Sequence, residues 1–357
     1  MIRDLYDPGP EPRWKRILLA PLGGVARLYA AAAWLDRTLH HRRWLRVRRL
    51  PCRVVSVGGL TAGGSGKTPL AAWVARSLRA QGHRVVIASR GYGRSGRDRV
   101  VVVSDGRHVT SSAAEAGDEP FLLAALAPDV PVIVSRDRGV AGLRAVSAFN
   151  ADAVVLDDGF HHHRLARDVE IVAIDSGAGF GNGRVLPRGP LRESPTSLRL
   201  ADVVVVIDGP LRAEDESRLG KFAPHAQRVF ARRVARSWRS LSGGARFPAE
   251  TLAGLRVGIF CGIARPASFR RTVESLGARV VAERSFRDHH RFSAADLRDL
   301  EPGVGTWLTT EKDAVKLVAA WAAGVDVRVL SITLEVEDGE RFADWLGYRL
   351  RGSNPLR

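Results

Sequence analysis

The sequence predicts an α/β fold, made of a doubly wound, mainly parallel sheet and a second, smaller α/β domain. From residue 54 to residue 207, short and almost wholly apolar segments alternate with helical patterns, as they do when parallel strands are buried on both faces. A further strand–helix series begins near Arg256, after a charged stretch of mixed pattern. We therefore predict N-terminal amphipathic helices over 1–50, a first domain over 51–209, a linker over 210–240 and the smaller domain over 241–357.

The first domain is organised around residues 54–69, which read VVSVGGLTAGGSGKTP. An apolar strand, a glycine-rich turn, Gly66-Lys67-Thr68 and a helical stretch follow in that order, which is the arrangement of a phosphate-binding loop in a P-loop NTPase-like domain. Lys67 is expected to reach the β- and γ-phosphates of a nucleotide, and Thr68 to bind Mg²⁺. The alternative is an ordinary glycine-rich turn, since Thr61 stands where the strict pattern has glycine. The predicted nucleotide-binding residues of this loop are Thr61, Ala62, Gly63, Gly64, Ser65, Gly66, Lys67 and Thr68.

Two adjacent acids, Asp157 and Asp158, follow the apolar segment 153–156. A carboxylate at the tip of a buried strand, beside a phosphate-binding loop, organises Mg²⁺ in domains of this kind. Adjacent carboxylates also repel each other unless a cation lies close. We therefore assign both to a metal site, with either one as the direct ligand; the alternative is a generic turn. The triple histidine 161–163 is not expected to bind a transition metal, and phosphate contact or a solvated loop is the favoured interpretation.

Two basic loops are predicted to face the substrate. The loop after the strand at residues 84–88 carries Arg90, which could meet phosphate groups, and Tyr92, which could stack on a flat ligand. The alternative for this loop is a solvated basic turn. Residues 177–195 are rich in glycine, proline and arginine, which predicts a large irregular loop, and such loops are often functional.

The N-terminal segment has an unusual composition. From residue 14 to residue 50, apolar residues and tryptophans recur at roughly helical spacing between arginine-rich flanks. Pro21, Gly23 and Gly24 are expected to divide this segment into two helices. Basic residues beside tryptophans and an apolar face favour helices that lie in a membrane interface. An alternative of equal weight is a pair of amphipathic helices packed on the body of the protein, with their tryptophans in the core. In either case the segment is too short and too charged to span a bilayer.

The overall charge narrows the classes of partner. The chain has 55 lysines and arginines against 38 acids, a formal charge of +17, which predicts an acidic partner such as nucleic acid, an anionic membrane or a phosphorylated substrate. Because the arginines are spread along the chain and form no single recognition element, we expect no nucleic acid partner. Cys52 and Cys261 lack metal-ligand spacing, which argues against a zinc site and makes a reducing compartment the default.

Several motifs, taken together and in order, resemble those of the tetraacyldisaccharide 4′-kinases of lipid A synthesis. They extend over nearly the whole length and read VGGLTAGGSGKTP, SRGYGR, GDEP, DDGFHHHRLARD, LPRGPLRES, FCGIARP, FRDHH and TTEKDAVKL. A phosphate-binding loop alone would be weak evidence, whereas this ordered set is specific. Two positions depart from the family's usual pattern, since Gly59 replaces an asparagine and His161 replaces a glutamine.

The resemblance implies ATP- and Mg²⁺-dependent phosphorylation of the 4′-hydroxyl of a lipid disaccharide 1-phosphate, which gives the lipid A precursor lipid IVA. It also implies a peripheral enzyme on the cytoplasmic face of the inner membrane, at an anionic surface. By the same resemblance Asp118 is the general base and His289, from the second domain, supports it; with Lys67 these are the expected catalytic residues. The alternatives are a helix cap for Asp118 and a structural loop role for His289. No obligate protein partner is predicted.

Three further residues are assigned to binding. Arg192 and Glu193 are expected to bind substrate or to lie around the metal, with a purely structural loop as the alternative. Lys312 stands in the first turn of a helix, against the helix dipole, which favours contact with a nucleotide or substrate phosphate. A rival class with the same phosphate-binding loop is a switch or partitioning ATPase, which would hydrolyse ATP in the absence of lipid.

Overall fold

The computed structural model describes residues 12–352, apart from residues 95, 97 and 323. Within that part of the chain the helices are α1 (Arg13–Leu18), α2 (Ala20–His41), α3 (Lys67–Ala80), α4 (Ala113–Ala116), α5 (Asp118–Leu126), α6 (Arg138–Phe149), α7 (Ala213–Phe222), α8 (Pro266–Ser275), α9 (Ala294–Arg298), α10 (Glu311–Ala314) and α11 (Gly339–Arg351). Short 3₁₀ helices lie at Pro195–Leu200, Ala249–Leu252 and Ala319–Ala322.

The strands are β1 (Arg53–Gly58), β2 (Val85–Ser89), β3 (Val101–Ser104), β4 (Val132–Val134), β5 (Ala153–Asp157), β6 (Val169–Asp175), β7 (Val203–Ile207), β8 (Gln227–Ser240), β9 (Gly243–Pro248), β10 (Arg256–Cys261), β11 (Arg279–Ser285), β12 (Thr306–Thr310) and β13 (Asp326–Val336). They form one sheet in the order β11-β10-β12-β13-β8-β7-β6-β1-β5-β2-β4-β3, with β9 also paired to β8.

The first half of the sheet is the predicted doubly wound structure. Strand β1 pairs in parallel with β5 and β6, and the parallel pairing extends to β2, β4 and β7, while β3 is an antiparallel edge strand. Every residue of β2, β5, β6 and β7 is buried, which explains their almost continuous apolar sequences. The fold class is therefore confirmed. Since parallel strands end at the same edge, the loops that follow β1, β2 and β5 converge there.

Strand β8 connects this half to the second strand–helix series. Its first residues, Gln227 to Ala231, pair in parallel with β7, and its remainder pairs antiparallel with β13. The second series continues the sheet, because β10 pairs in parallel with β11 and β12, and β12 with β13. The stretch 210–240 thus contains α7 and β8. The division into separate domains at these boundaries remains a prediction.

The N-terminal helices differ in one respect from the expectation. The break between them is at Leu19, and Pro21, Gly23 and Gly24 lie inside the 22-residue helix α2. Pro21 is tolerated because the first helical turn needs no N–H donor there. The predicted position of the break was therefore wrong, although the prediction of two helices was right.

The tryptophans of the N-terminal segment are not in the core. Trp14, Trp34 and Trp44 are 66%, 54% and 72% exposed, and other large apolar side chains of the segment are exposed with them. The exposed apolar and aromatic residues from this part of the chain are Trp14, Ile17, Leu18, Val25, Leu28, Tyr29, Trp34, Leu35, Trp44 and Leu45. Among the described helices, none has both the length and the apolarity needed to cross a bilayer.

Candidate active site

A single cleft of about 790 Å³ collects most of the predicted site residues. Its walls come from the phosphate-binding loop, the ends of β2 and β5, one face of α2, and loops of the second strand–helix series. From α2 the cleft receives Tyr29, Ala33 and Asp36, which are spaced to lie on one helical face. Helix α2, which exposes Trp34 on its surface, therefore also borders the site.

The phosphate-binding loop has the geometry that its sequence predicts. Gly66 adopts a left-handed backbone (φ 79°) at the start of α3, which favours glycine, and a Cβ there would also lie 2.6 Å from Cδ1 of Ile207, which would have to move aside. Lys67 lies in the cleft wall, with Nζ 3.2 Å from Ser65 Oγ. The loop N–H groups and the start of α3 together form a site for phosphate oxygens.

The first residues of this loop have a different role. Thr61 pairs with Leu191 in an isolated bridge, and the N–H of Ala62 donates to Pro190 O at 2.8 Å. Of the loop residues, Gly63 to Thr68 line the cleft, whereas Thr61 and Ala62 do not; Thr61 is buried and Ala62 is exposed. These two residues connect the phosphate-binding loop to the large loop at residues 177–195. The predicted contact of Thr61 and Ala62 with a nucleotide stays a prediction.

Asp157 lies at the tip of β5 and is 1% exposed. Its Oδ1 is 3.4 Å from Thr68 Oγ1, and its Oδ2 accepts a hydrogen bond from Ser89 Oγ at 3.0 Å. Burial, together with the nearby charges of Glu119 and Asp158, raises the pKa of Asp157 from 3.8 to about 7. Without a cation beside it, this carboxyl group is therefore partly protonated near neutral pH.

Asp158 is ionised by its neighbours. Arg192 Nη1 donates to its Oδ2 at 2.6 Å, and Lys67 Nζ lies 3.9 Å from its Oδ1. Burial opposes ionisation, but Lys67 and Arg192 outweigh it and hold the pKa of Asp158 well below 3.8. Arg192 thus lies beside the paired acids, where the metal site is predicted.

The residues present suit Mg²⁺. The Oδ1 atom of Asp158 is buried and has no hydrogen-bond partner, which leaves a carboxylate oxygen free for a cation. Asp157 and Thr68 add a second carboxylate and a hydroxyl oxygen within 3.4 Å of each other. Magnesium commonly takes only one or two carboxylates and completes its shell with water and substrate phosphates. Among the described residues, no group of three or more histidine, cysteine or acidic side chains lies close enough together to hold a metal ion by itself.

The side chains of Asp118 and His289, which are 171 positions apart in the chain, form a hydrogen bond. Asp118 is the first residue of α5, and its Oδ2 lies 2.9 Å from Nδ1 of His289, in the loop after β11. Burial favours protonation of Asp118, but the hydrogen bond from His289 and the charges of Lys312 and Lys316 hold its pKa below 3.8. The same hydrogen bond raises the pKa of His289 above 6.5, against burial and the charge of Lys312.

The two members of this pair are not equally accessible. His289 lines the cleft, whereas Asp118 is 7% exposed and lies behind the imidazole. The side chain of Asp118 also does not cap its helix, because the N-cap residue is Gly117. A carboxylate hydrogen-bonded to one ring nitrogen orients this cleft-lining imidazole, as in sites of proton transfer.

Lys312 lies beside this pair. Its Nζ is 3.0 Å from Asp288 Oδ1, 3.7 Å from Glu119 Oε1 and 3.5 Å from His289 Nε2, and its side chain lines the cleft. Arg90 and Tyr92 also line the cleft, with the Tyr92 ring 5.4 Å from the imidazole of His289. The predicted substrate-facing loop therefore lies next to the predicted base.

Glu193 has a different environment from the predicted one. It is 4% exposed, and its Oε1 lies 2.8 Å from His161 Nδ1 and 2.9 Å from His163 Nε2. Its Oε2 accepts a hydrogen bond from Arg37 of α2 at 2.8 Å. Both oxygens are thus occupied by protein groups, although the residue borders the cleft. His163 is buried, so the triple histidine is not a solvated loop, and two of its members, His161 and His163, pack against this carboxylate.

The two departures from the family pattern are in contact. His161 Nε2 lies 3.0 Å from the carbonyl oxygen of Gly59. A Cβ at position 59 would lie 2.6 Å from Ser65 Oγ and 3.2 Å from Lys67 Cδ, so the missing side chain leaves room for the phosphate-binding loop. Both positions therefore lie next to the phosphate-binding loop and contact each other through this hydrogen bond.

Several cleft residues were not identified from the sequence. Arg138 is 3% exposed, donates to Asp157 O at 3.2 Å and lines the cleft. It begins α6, four residues after the end of β4, so its place shortly after an apolar segment was a signal similar to the one that identified Arg90. Arg265, in the loop after β10, and Arg233 of β8 both form ion pairs with the buried Asp175. Only the strand order brings these two arginines together, so no sequence signal could have paired them.

Comparisons with known proteins agree with this geometry. The family described as tetraacyldisaccharide-1-P 4′-kinase matches residues 15–351. Relatives named tetraacyldisaccharide 4′-kinase are 40% identical in Syntrophus aciditrophicus, covering 94% of each chain, and 43% identical in Anaeromyxobacter dehalogenans strain 2CP-1, covering 92% of this chain and 91% of the relative.

A solved structure is similar over the same length. The crystal structure of LpxK from Aquifex aeolicus in complex with ATP has a TM-score of 0.75 and 31% sequence identity, and the match covers 94% of this chain and 99% of that one. The family match and these identities extend over the phosphate-binding loop, the paired acids and the second strand–helix series alike. The chain therefore belongs to the tetraacyldisaccharide-1-P 4′-kinase family, and it is a kinase that phosphorylates the 4′-hydroxyl of a tetraacyldisaccharide 1-phosphate.

Proposed function

We propose that this chain carries out its transfer from Mg²⁺-bound ATP, at an anionic membrane surface on the cytoplasmic face of the inner membrane, with Asp118 and His289 as the proton acceptor. The observation that supports this most strongly is the shared cleft. Lys67 and Thr68, His289, and the face of α2 that carries Tyr29 all border the same 790 Å³ space. A nucleotide phosphate, an acceptor hydroxyl and a lipid-facing helix can therefore meet there.

The nucleotide end of the proposed site consists of the phosphate-binding loop and the paired acids. Lys67 and the loop N–H groups bind the β- and γ-phosphates, and Arg192 holds Asp158 in position. Mg²⁺, bound by Thr68 and by Asp157 or Asp158, would neutralise charge on the phosphate oxygens. The low pKa of Asp158 supports this assignment, because it is ionised before any cation binds.

The acceptor end requires a group that takes a proton. As the 4′-oxygen attacks, its bond to the γ-phosphorus forms, the bond from that phosphorus to the bridging oxygen breaks, and ADP leaves. The hydroxyl proton passes to the Asp118–His289 pair. Since Nδ1 of His289 faces Asp118, its Nε2 is the nitrogen left to accept a proton, and the carboxylate stabilises the resulting imidazolium. Lys312, Arg90 and Tyr92 are proposed to contact nucleotide or substrate beside this pair.

The membrane end is supported by α1, α2 and the chain's charge. Exposed tryptophans on a basic helix suit the interface between lipid headgroups and acyl chains, and the charge of +17 suits anionic lipid. A substrate with four acyl chains is held in such a surface. A helix that lies there and also borders the cleft would receive the disaccharide without removing it from the membrane.

A single experiment separates this function from its rivals. The purified full-length protein is incubated with labelled ATP and Mg²⁺, together with the tetraacyldisaccharide 1-phosphate in anionic vesicles, with vesicles alone, or with DNA. We expect label in the lipid and little free phosphate in the other two reactions. Hydrolysis without the disaccharide, stimulated by DNA or unaffected by lipid, would instead indicate a partitioning ATPase.

A further inference from the structure

The turn that carries the two acids has an uncommon backbone. Asp158 adopts a left-handed conformation (φ 53°), which is uncommon outside glycine and is found mainly for asparagine, aspartate and histidine. The conformation turns the chain sharply after β5, so that the carboxylates of Asp157 and Asp158 point toward Thr68 and Lys67. Contacts elsewhere must hold this turn in place.

Strand β1 provides one set of these contacts. The N–H of Gly159 donates to Val57 O at 3.1 Å. A Cβ at Gly58 would lie 2.4 Å from Cβ of Phe160, and a Cβ at Gly159 would lie 2.4 Å from Ser56 Oγ. The turn is therefore packed directly on β1. These contacts fix the turn on the strand, and the carbonyl oxygen of Gly159 also accepts a hydrogen bond from the N–H of His162 at 2.9 Å.

Arg167 provides the other set. Its Nη1 lies 3.0 Å from Phe160 O and 3.3 Å from Gly159 O, so one guanidinium group binds the two carbonyls that follow the acids. The same nitrogen lies 2.9 Å from Oε2 of Glu170, on β6. The side chains of Arg167 and Glu170 are only 13% and 5% exposed. A shielded ion pair thus connects the turn to β6, the other neighbour of β1.

We propose that Arg167 is a positioning residue for the Mg²⁺-binding turn. Held by Glu170, it binds the carbonyl oxygens of Gly159 and Phe160 and keeps Asp157 and Asp158 directed at the nucleotide phosphates. The inference depends on the proposed role of these acids in binding Mg²⁺, and it adds a residue that does not itself touch metal or nucleotide. Groups that orient metal ligands in this way typically change metal affinity when they are removed.

The test compares Arg167→Met with Arg164→Met in the full-length protein. Arg164 belongs to the same segment and is exposed, so its variant removes the same charge without touching the turn. Binding of a fluorescent ATP analogue is measured in EDTA and then during a Mg²⁺ titration. For Arg167→Met we expect the Mg²⁺ concentration at half-maximal response to rise about 10- to 100-fold, with binding in EDTA unchanged. For Arg164→Met we expect no change in either quantity.

Two results would overturn the proposal: an unchanged Mg²⁺ midpoint in Arg167→Met, or a loss of nucleotide affinity that is the same with and without Mg²⁺. Should thermal unfolding show that this variant does not fold, Arg167→Lys decides by the same criterion. The lysine keeps the charge, but its side chain is one bond shorter than the distance from Cα to Nη1 of arginine, so its contacts with the two carbonyls and with Glu170 all lengthen, and the midpoint should still rise several-fold. Because this readout needs no lipid, a failure of lipid phosphorylation would be recognised separately.

Discussion

The two ends of the cleft are built in different ways. The phosphate and metal end comes from two short segments, residues 58–68 and 157–158, which follow adjacent parallel strands. The base end pairs Asp118 with His289, which are 171 positions apart and come from opposite halves of the sheet. The first end is preorganised by local turns, whereas the second exists only if both halves are correctly placed. Disturbing each end should therefore have a distinct signature.

The largest effect is expected at the phosphate end, from Lys67→Ala. Removing the cation that binds the transferred phosphate should lower kcat for lipid phosphorylation by about 10²- to 10³-fold. The measurement is transfer of label from ATP to the disaccharide. Wild-type rates in this variant would show that the loop does not hold the transferred phosphate.

At the base end, Asp118→Ala should lower kcat by about a hundredfold or more, because the hydroxyl proton loses its acceptor pair. Binding of a fluorescent ATP analogue should remain as in the wild type, since Asp118 lies outside the phosphate-binding loop. The two ends are then distinguishable by their effect on nucleotide binding. A near-normal kcat in this variant would contradict the assignment of the base.

The membrane face should respond more weakly. Trp34→Ser is expected to reduce binding to anionic vesicles by about five- to tenfold, because one of several exposed tryptophans is removed. Phe230→Ser is the matched control, an exposed aromatic residue on β8 that is not part of the N-terminal helices. Co-sedimentation with vesicles measures both. Equal losses in the two variants would argue against a specific role of α2.

A subtler prediction concerns the stability of the metal end. The folded-state pKa of Asp157, about 7, lies above its ordinary value of 3.8, so ionisation destabilises the folded protein. The stabilisation that protonation provides is complete below pH 4 and is lost as the pH rises to about 7. In EDTA, Asp157→Asn should therefore raise the Tm at pH 8 more than at pH 5. An equal change in Tm at both pH values would show that this carboxyl group titrates normally.

The smallest expected change is in the titration of His289. Its pKa is raised by the hydrogen bond to Asp118, so Asp118→Asn should shift the midpoint of its imidazole titration to lower pH. Nuclear magnetic resonance of the labelled imidazole measures this directly, without reference to activity. The histidine should also contribute stability at acid pH that is lost as the pH rises through its raised pKa. An unmoved midpoint would mean that the pair seen here does not form in solution.

The sequence-based predictions were accurate for features that depend on local segments and less accurate for features that depend on contacts between distant parts of the chain. The range of alternating apolar segments predicted to end at residue 207 ends with β7, and the second series predicted to begin near Arg256 begins with β10, because buried parallel strands are almost continuously apolar. The break in the N-terminal segment was placed wrongly, because proline and glycine signals could not show that Pro21 would lie in the first turn of α2. Glu193 was recognised as a site residue, but not as the shared partner of Arg37, His161 and His163.

By itself the sequence determined the parallel sheet, the phosphate-binding loop and the acids beside it. These features depend on residues within one strand–turn–helix unit, where periodicity and backbone preference act over a few positions. Only the tertiary structure decided that His289, and not Asp118, borders the cleft, and that Arg167 lies behind the turn of the acids. Such contacts depend on strand order and on burial between distant elements. A local pattern cannot specify them, because the same local pattern is compatible with many arrangements.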